Sequence, residues 1–434
     1  MNKTESLYER RKKSVPNALG IICSSSIQSA KGAIIIDADG RELIDFAGGI
    51  GVNNAGHGVN EIITAIQQQA EKFIHASFNV SIYEAYLDLT EKLCSLLPHG
   101  NATKTMLTLS GAESVENAIK IAKAVTGKPG IICYSGAFHG RSMMALTLTS
   151  NTRYKEGVGP YAPEVYRLEF PYYGPKEKKL FKNEEDFAAF HINKLNIFFS
   201  TYVSASQIAA VIMELVQGEG GFTVASKIYV TELRKICTEK NILLILDEVQ
   251  TGFGRTGKWA AFEHYYITPD LSTWAKSMGG GMPIGAVIGR QEIMDAVKPG
   301  LIGGTYLGNA LCCVASLASI NYMQKNNINA AAEIVGKIVL EKFMQLQKLY
   351  PNNISDVRGL GAMLAIEFVK PNTNEADSET AKAIVNKCFV NGLITITSGT
   401  SGNCIRILSP LFIENEILQK GLSILEKSIQ EIIQ

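Results

Sequence analysis

Short apolar runs alternate with longer amphipathic stretches between about residues 100 and 300 of this 434-residue chain. This alternation is typical of α/β proteins, in which helices cover a mostly parallel sheet. The predicted strands are 105–109, 130–134, 208–213, 242–246, 271–275 and 285–289. The predicted helices between them are 113–124, 226–240 and 291–297. We therefore place the main α/β domain in this part of the chain.

The C-terminal part of the chain has a different pattern, which predicts a smaller α+β domain. Its predicted helices are 310–324, 331–349 and 415–433, and its predicted strands are 363–369, 393–397 and 405–408. We divide the chain into an N-terminal segment (1–60) that packs on the small domain, a large domain (61–305) and a small C-terminal domain (306–434). The polar and then aromatic stretch 172–204 is predicted to be a surface insertion, to which we assign no function.

The composition limits the partners and the compartment. With 42 Lys+Arg against 41 Asp+Glu the net charge is +1, so the surface has no general attraction for nucleic acid or an anionic membrane. A hydrophobic content of 46% provides for a large core. No apolar run approaches the ~20 residues of a membrane span. Eight cysteines without CxxC pairs indicate neither a disulfide scaffold nor a metal site. Cytoplasmic residence is the resulting prediction.

The first candidate site is the turn between a predicted strand and the helix that follows it. Ser110, Gly111 and Ala112 form this turn, and the free backbone N–H groups of a helix N-terminus suit a phosphate. The alternative is ordinary helix capping by Ser110, with Glu113 completing a capping box.

Two charged residues stand at the ends of later predicted strands. Asp247 follows five apolar residues, at the sheet edge where open α/β sheets bind ligands; capping of the next element is the alternative. Lys276 ends the strand before a glycine-rich turn. Lysines are mostly solvated surface residues, but a desolvated lysine becomes a nucleophile towards a carbonyl. An aldehyde cofactor with a phosphate tail and a protonated ring nitrogen uses all three sites, and that cofactor is pyridoxal 5′-phosphate.

Six motifs occur in one order along nearly the whole chain, from about residue 41 to residue 410. They are SGAESVENAIK, FHGR, GEGG, LDEVQTGFGRTG, AKSMGGGMPIG and GGTYLGNAL. In these motifs the sequence resembles the class III aminotransferases, which have the aspartate-aminotransferase-like fold (fold type I). Within that class the segments IDFAGGIGV, GAFHGRSMMALTLT and RILSPL are most similar to the subgroup that acts on 4-aminobutyrate.

The resemblance implies a set of cofactor contacts. Lys276 is expected to bond covalently to the cofactor aldehyde, and Asp247 to pair with the ring N–H so that the ring stays cationic. Phe138 is expected to stack on the ring, and Gln250 to form a hydrogen bond with the ring's phenolic oxygen. Gly111 and Ala112 are expected to bind the phosphate through their backbone N–H groups, and Thr305 to bind it from the partner subunit. A buried core position is the alternative for the aromatic ring. Phosphate binding across subunits implies a homodimer, with pairing into a dimer of dimers left open.

The resemblance also implies how substrates bind. Arg141, with packing from Ile50, is expected to bind the distal carboxylate, and Arg406 to bind the α-carboxylate of glutamate or 2-oxoglutarate. A surface ion pair is the alternative for Arg406. Glu214 is expected to neutralise that guanidinium when the substrate has no α-carboxylate, because a buried arginine keeps its charge. Leu215 stands where relatives commonly have proline, so the sequence departs from the family pattern beside Glu214.

The expected reaction is transamination of 4-aminobutyrate with 2-oxoglutarate, which gives succinate semialdehyde and glutamate in a ping-pong cycle. Two alternatives remain open at this point. One is the same chemistry on another ω-amine, such as 5-aminovalerate, ornithine, β-alanine or a diamine. The other is a protein that binds the cofactor without turnover.

Overall fold

A seven-stranded sheet forms the centre of the computed structural model, which describes residues 2–433. Within this sheet Gly285–Arg290 runs antiparallel to both of its neighbours, and the other neighbouring pairs are parallel. The strands, in spatial order, are Thr103–Thr108, Gly285–Arg290, Leu271–Trp274, Leu243–Asp247, Ile208–Met213, Gly130–Tyr134 and Val165–Leu168. The predicted fold class, with a mostly parallel sheet, is confirmed.

Helices cover this sheet, as the continuous apolar strands require. Every residue of Ile208–Met213 is buried, so neither face of that strand meets water. The helix Gly111–Thr126 packs its apolar face on the sheet and ends at Gly127, whose φ of 66° is the left-handed conformation common at helix C-termini. The helices between residues 2 and 433 are Lys3–Ser14, Gly48–Gly51, Asn60–Lys72, Glu84–Leu96, Gly111–Thr126, Met143–Leu148, Glu177–Leu180, Glu184–Thr201, Lys227–Glu239, Gln291–Met294, Ala310–Lys325, Ile328–Leu349, Ser378–Val390 and Asn415–Ile433.

Between residues 2 and 433, no helix combines the length and the apolar character needed to cross a bilayer.

A second sheet lies in the C-terminal part of the chain, and a third joins that part to the N-terminal segment. The second sheet is antiparallel, with the strands Ile354–Leu360, Met363–Phe368, Cys404–Ile407 and Ile396–Ser398. The third sheet contains Ser29–Lys31, Ile34–Ile36, Glu42–Asp45 and Leu393–Ile394. The predicted strand 393–397 is therefore two strands that belong to different sheets. A two-stranded hairpin, Val216–Gln217 and Thr223–Val224, frames the GEGG motif. The predicted domain limits stay predictions.

The stretch 172–204 differs from its prediction as a surface insertion. It contains the 18-residue helix Glu184–Thr201, which Asn183 caps by accepting a hydrogen bond from the backbone N–H of Asp186. This helix buries Phe187 and Leu195 against the core. The segment is therefore part of the packed structure.

Candidate active site

The carboxyl ends of the parallel strands bring most of the predicted cofactor residues to one edge of the large sheet. A ligand bound there meets loops from several strands at once, which is the usual location of sites in open α/β sheets. The predicted residues that follow these strand ends are Gly111, Ala112, Phe138, Asp247, Gln250 and Lys276.

Lys276 begins a short 3-10 turn directly after the strand Leu271–Trp274 and Ala275. Its φ of 49° lies in the left-handed region, which is rare for a lysine and is found mostly where the surroundings hold a residue in place. Burial, opposed by Glu219 and helped by the Arg406 charge, lowers the pKa of Lys276 to about 8. Near neutral pH the uncharged, nucleophilic fraction of this amine is therefore far larger than for an ordinary lysine.

Asp247 is held by a histidine that lies 108 positions earlier in the chain. His139 Nδ1 is 2.7 Å from Asp247 Oδ2, and both side chains are almost completely buried. The backbone N–H of Val249 donates to Asp247 Oδ1. These two contacts fix the direction of the carboxylate, in the way that outer hydrogen bonds orient a ligand-binding group. The sequence places His139 in the FHGR motif but gives no sign of this partner.

The helix N-terminus at Gly111 shows the capping by Ser110 that the sequence offered as one alternative, and phosphate binding there stays a prediction. Ser110 Oγ accepts from the N–H of Glu113 at 3.3 Å, so this serine caps the helix. The Glu113 carboxylate accepts from the N–H of Leu109, one residue before the position that a capping box uses. Neither contact involves the N–H groups of Gly111 or Ala112, which leaves this pair for an anion at the positive end of the helix dipole.

Gln250 and Phe138 complete the surroundings of a planar ring. Gln250 Oε1 is buried and has no hydrogen-bond partner among residues 2–433, so it is an acceptor that a bound group can satisfy. Phe138 is half-buried, and its ring meets the edge of Tyr154 at a centroid distance of 5.5 Å. A free amide acceptor, an oriented carboxylate, a helix N-terminus and an amine of lowered pKa fit the chemistry of pyridoxal 5′-phosphate.

Arg406 has a different carboxylate partner from the one predicted. Its Nη2 lies 2.7 Å from Glu219 Oε1, and its Nη1 donates to the carbonyl of Gly218 at 3.0 Å. Only 2% of Arg406 is exposed, so this ion pair is shielded on the arginine side. Burial raises the pKa of Glu219, but Arg406 outweighs it and lowers that pKa below the usual value, with help from Lys276. Glu219 is the second residue of GEGG, a motif already recognised in the sequence.

Glu214 does not contact Arg406, and the prediction of that pair is wrong for this structure. Its two carboxylate oxygens accept from the N–H groups of Phe138 and Gly218, each at 2.9 Å. Glu214 therefore ties the Phe138 loop to the loop that carries Glu219. Burial raises the pKa of Glu214 to about 7, against the lowering effect of His139.

The remaining predicted residues lie outside this buried group. Arg141 is exposed, and its guanidinium lies 4.5 Å from the centre of the Tyr154 ring. The neighbouring Arg153 lies over the same ring at 5.0 Å and was not predicted. Ile50 is 38% exposed at a φ of 65°, and Thr305 is exposed.

Comparisons with known proteins identify the family and the fold of the chain. The family model of the class-III aminotransferases matches residues 20–429. A probable 4-aminobutyrate aminotransferase of Bacillus subtilis is 44% identical over 402 residues, which is 92% of each protein. A 5-aminovalerate aminotransferase of Pseudomonas putida is 42% identical over the full length of both proteins. Among solved structures, an omega-transaminase from Thermomicrobium roseum is 26% identical and superposes with a TM-score of 0.90 over the full length of both chains.

Proposed function

The chain belongs to the class-III aminotransferases, and from that premise we propose that it transfers the amino group of 4-aminobutyrate to 2-oxoglutarate. It is an aminotransferase that depends on pyridoxal 5′-phosphate, as predicted, and its relatives support activity on ω-amino acids. The proposed products are succinate semialdehyde and glutamate, formed in a ping-pong cycle. The active form proposed below is a homodimer.

The cofactor residues have separable roles in this proposal. When bound, the cofactor supplies an aldehyde and an electron-withdrawing ring. Lys276 would hold the aldehyde through its Nζ, would be released when the substrate amine takes its place, and as the free amine would then accept a proton from the substrate carbon. Asp247, oriented by His139, keeps the ring nitrogen protonated. Gly111 and Ala112 hold the phosphate through their backbone N–H groups.

The ion pair between Arg406 and Glu219 is the observation that supports the substrate. 4-Aminobutyrate has one carboxylate, which lies far from its amine, so it leaves an α-carboxylate site empty. A buried guanidinium needs an anion at all times, and Glu219 provides one during this half-reaction. Glutamate and 2-oxoglutarate bring an α-carboxylate of their own, which displaces Glu219 and binds Arg406 in a bidentate manner.

Arg141 is proposed to receive the distal carboxylate that both substrates share. Its guanidinium rests on Tyr154, which in turn contacts Phe138, so the cation stands beside the proposed ring site. Ile50 packs against the methylene chain of the substrate in this arrangement.

5-Aminovalerate is the second candidate donor, and the full-length match to a 5-aminovalerate aminotransferase favours it. 5-Aminovalerate also has a single distal carboxylate, so Glu219 would pair with Arg406 while this donor is bound. Ornithine brings an α-carboxylate, β-alanine is shorter, and a diamine has no anion for Arg141.

The test is a panel of these five kinds of donor with 2-oxoglutarate and the purified holoenzyme, compared by kcat/KM. We expect the highest value for 4-aminobutyrate. A highest value for 5-aminovalerate would select the second candidate, and equal use of a diamine would contradict a carboxylate-binding role for Arg141. Absence of turnover with every donor would favour the non-catalytic alternative.

The homodimer rests on Thr305 and on the apolar surface near it. Thr305 is exposed, and so is the neighbouring Tyr306, which stacks on His75 at 4.6 Å. Ile74, next to His75, and Val80 are also exposed, at 62% and 81%. Exposed apolar side chains in one region are a feature of protein interfaces. Light scattering after size exclusion tests this proposal, and a monomer at working concentration would contradict it.

A further inference from the structure

A second buried arginine holds the opposite end of the loop that carries Glu219. Arg358 lies on the strand Ile354–Leu360, and its Nε donates to the carbonyl of Gly221 at 2.8 Å. Arg406 holds the carbonyl of Gly218. Arginines from the C-terminal part of the chain therefore form hydrogen bonds with both ends of the four-residue loop 218–221.

The pairing of three strands places these two arginines side by side. Ala365 is the direct partner of Arg358 on one side and of Arg406 on the other. Directly opposed residues in an antiparallel sheet project from the same face. Both guanidinium groups therefore reach the same loop from one face of the small sheet.

The loop needs such backbone contacts because it has few side chains of its own. Three of its four residues are glycines, which leave the backbone free to adopt many conformations. The N–H of Gly399 donates to the carbonyl of Glu219, so a third contact comes from the small sheet region. A Cβ atom on Gly221 would lie 2.9 Å from Arg358 Nη2, which shows how closely this arginine packs on the loop.

Arg358 itself is fixed by its surroundings. Its Nη1 contacts the carboxylates of Asp356 and Glu367, and its Nη2 lies 3.1 Å from Cys404 Sγ. Tyr172 donates a hydrogen bond to the same Asp356 oxygen. A guanidinium held in this way cannot follow the loop if the loop moves, so it is an anchor.

We propose that Arg358 is a positioning residue that selects between the two substrates by fixing the Gly221 end of the loop, so that Glu219 covers Arg406 when no α-carboxylate is present. This inference rests on the proposed function. With the backbone fixed, only the Glu219 side chain moves between half-reactions. With the Gly221 end released, Glu219 covers Arg406 for a smaller fraction of the time, and 4-aminobutyrate is processed more slowly.

The main variant is Arg358→Met combined with Glu367→Gln, which removes one positive and one negative charge together. Glu367→Gln alone is the control, because it loses the Glu367 ion pair but keeps Arg358, the pair with Asp356 and the bond to Gly221. In the holoenzyme we expect the ratio of single-turnover rates, 4-aminobutyrate over glutamate, to fall about tenfold in the double variant, as for one lost hydrogen bond to a charged group. The ratio in the control is expected to stay within about twofold of wild type.

Hydrogen–deuterium exchange over residues 214–224 gives a readout that does not need turnover. We expect faster exchange in the double variant than in the control. Equal losses in both half-reactions, or exchange equal to that of the control, would overturn the proposal and leave Arg358 a plain structural residue. If the double variant does not fold, Arg358→Lys replaces it, because lysine keeps the positive charge but lacks the planar guanidinium. An unchanged ratio of rates together with unchanged exchange in Arg358→Lys would also overturn the proposal. Failure of the proposed function is separate, because wild-type enzyme would then not react with 4-aminobutyrate.

Discussion

Glu219→Gln is the substitution that tests the proposed substrate most directly. It keeps the size of the side chain and one acceptor oxygen for Arg406, but it removes the negative charge. Arg406 then has no anion in the 4-aminobutyrate half-reaction. In the glutamate half-reaction the substrate's α-carboxylate takes that place, so the loss is confined to one half of the cycle.

The structure sets the size of this effect. A hydrogen bond between charged groups contributes about 1.5–3 kcal/mol, and a neutral one about 1 kcal/mol. Glutamine retains the neutral bond, and the 24% exposure of the Glu219 side chain lets water screen part of the charge. The remaining difference is about 1–2 kcal/mol, or about 5- to 30-fold in rate.

The assay is stopped-flow absorbance of the bound cofactor after mixing with either substrate alone. We expect a 5- to 30-fold slower reaction with 4-aminobutyrate, on the order set above, and a glutamate reaction that is unchanged or slightly faster. Glu214→Gln is the control, because among residues 2–433 the Glu214 carboxylate accepts hydrogen bonds from two backbone N–H groups and has no ion-pair partner. It should slow both halves by similar factors. Equal losses in both halves for Glu219→Gln would refute the switch.

Three further outcomes follow from the site. Lys276→Ala should retain cofactor on dialysis but lower single-turnover transamination to less than about a thousandth of wild type; a higher residual rate would contradict the role of this amine. Asp247→Asn should slow the half-reaction with either substrate by orders of magnitude, and an unchanged rate constant would show that the ring nitrogen lies elsewhere. In the cofactor-free protein the pKa of Lys276 is about 8, so only above that pH is most of the amine neutral. The rate of cofactor capture, followed by absorbance, should therefore rise with pH through about 8, and a midpoint near 10.5 would contradict the desolvation of this amine.

The sequence predicts the large sheet well because its strands are continuous apolar runs. The strand Ile208–Met213 lies where it was predicted, because a strand that is buried on both faces appears in the sequence as a continuous apolar run. The strand Val165–Leu168 was missed because it lies at the sheet edge and is only partly buried. The helix Glu184–Thr201 was missed because its aromatic residues lie on both its buried and its exposed sides, so the period of a helix is obscured.

The site was predicted only as far as local motifs extend. Lys276 and Asp247 could be found because each ends an apolar strand, and position at a strand end is visible in a sequence. The choice between Glu214 and Glu219 was not visible, because they lie five positions apart and only the fold shows which of them faces Arg406. The bond between His139 and Asp247 joins residues that no local pattern connects.

The order of strands in the large sheet has a consequence for how the chain folds during synthesis. Thr103–Thr108, which leads into the helix proposed to hold the phosphate, is an edge strand whose sheet neighbour is Gly285–Arg290. The ribosome must therefore release almost the whole large sheet before this strand can dock, because pairing over such a separation in sequence is slow and comes late. A nascent chain that ends before Gly285 has the carboxylate and the lysine but no fixed phosphate site. The cofactor is thus expected to bind as a late step of maturation and not to serve as a template for the sheet.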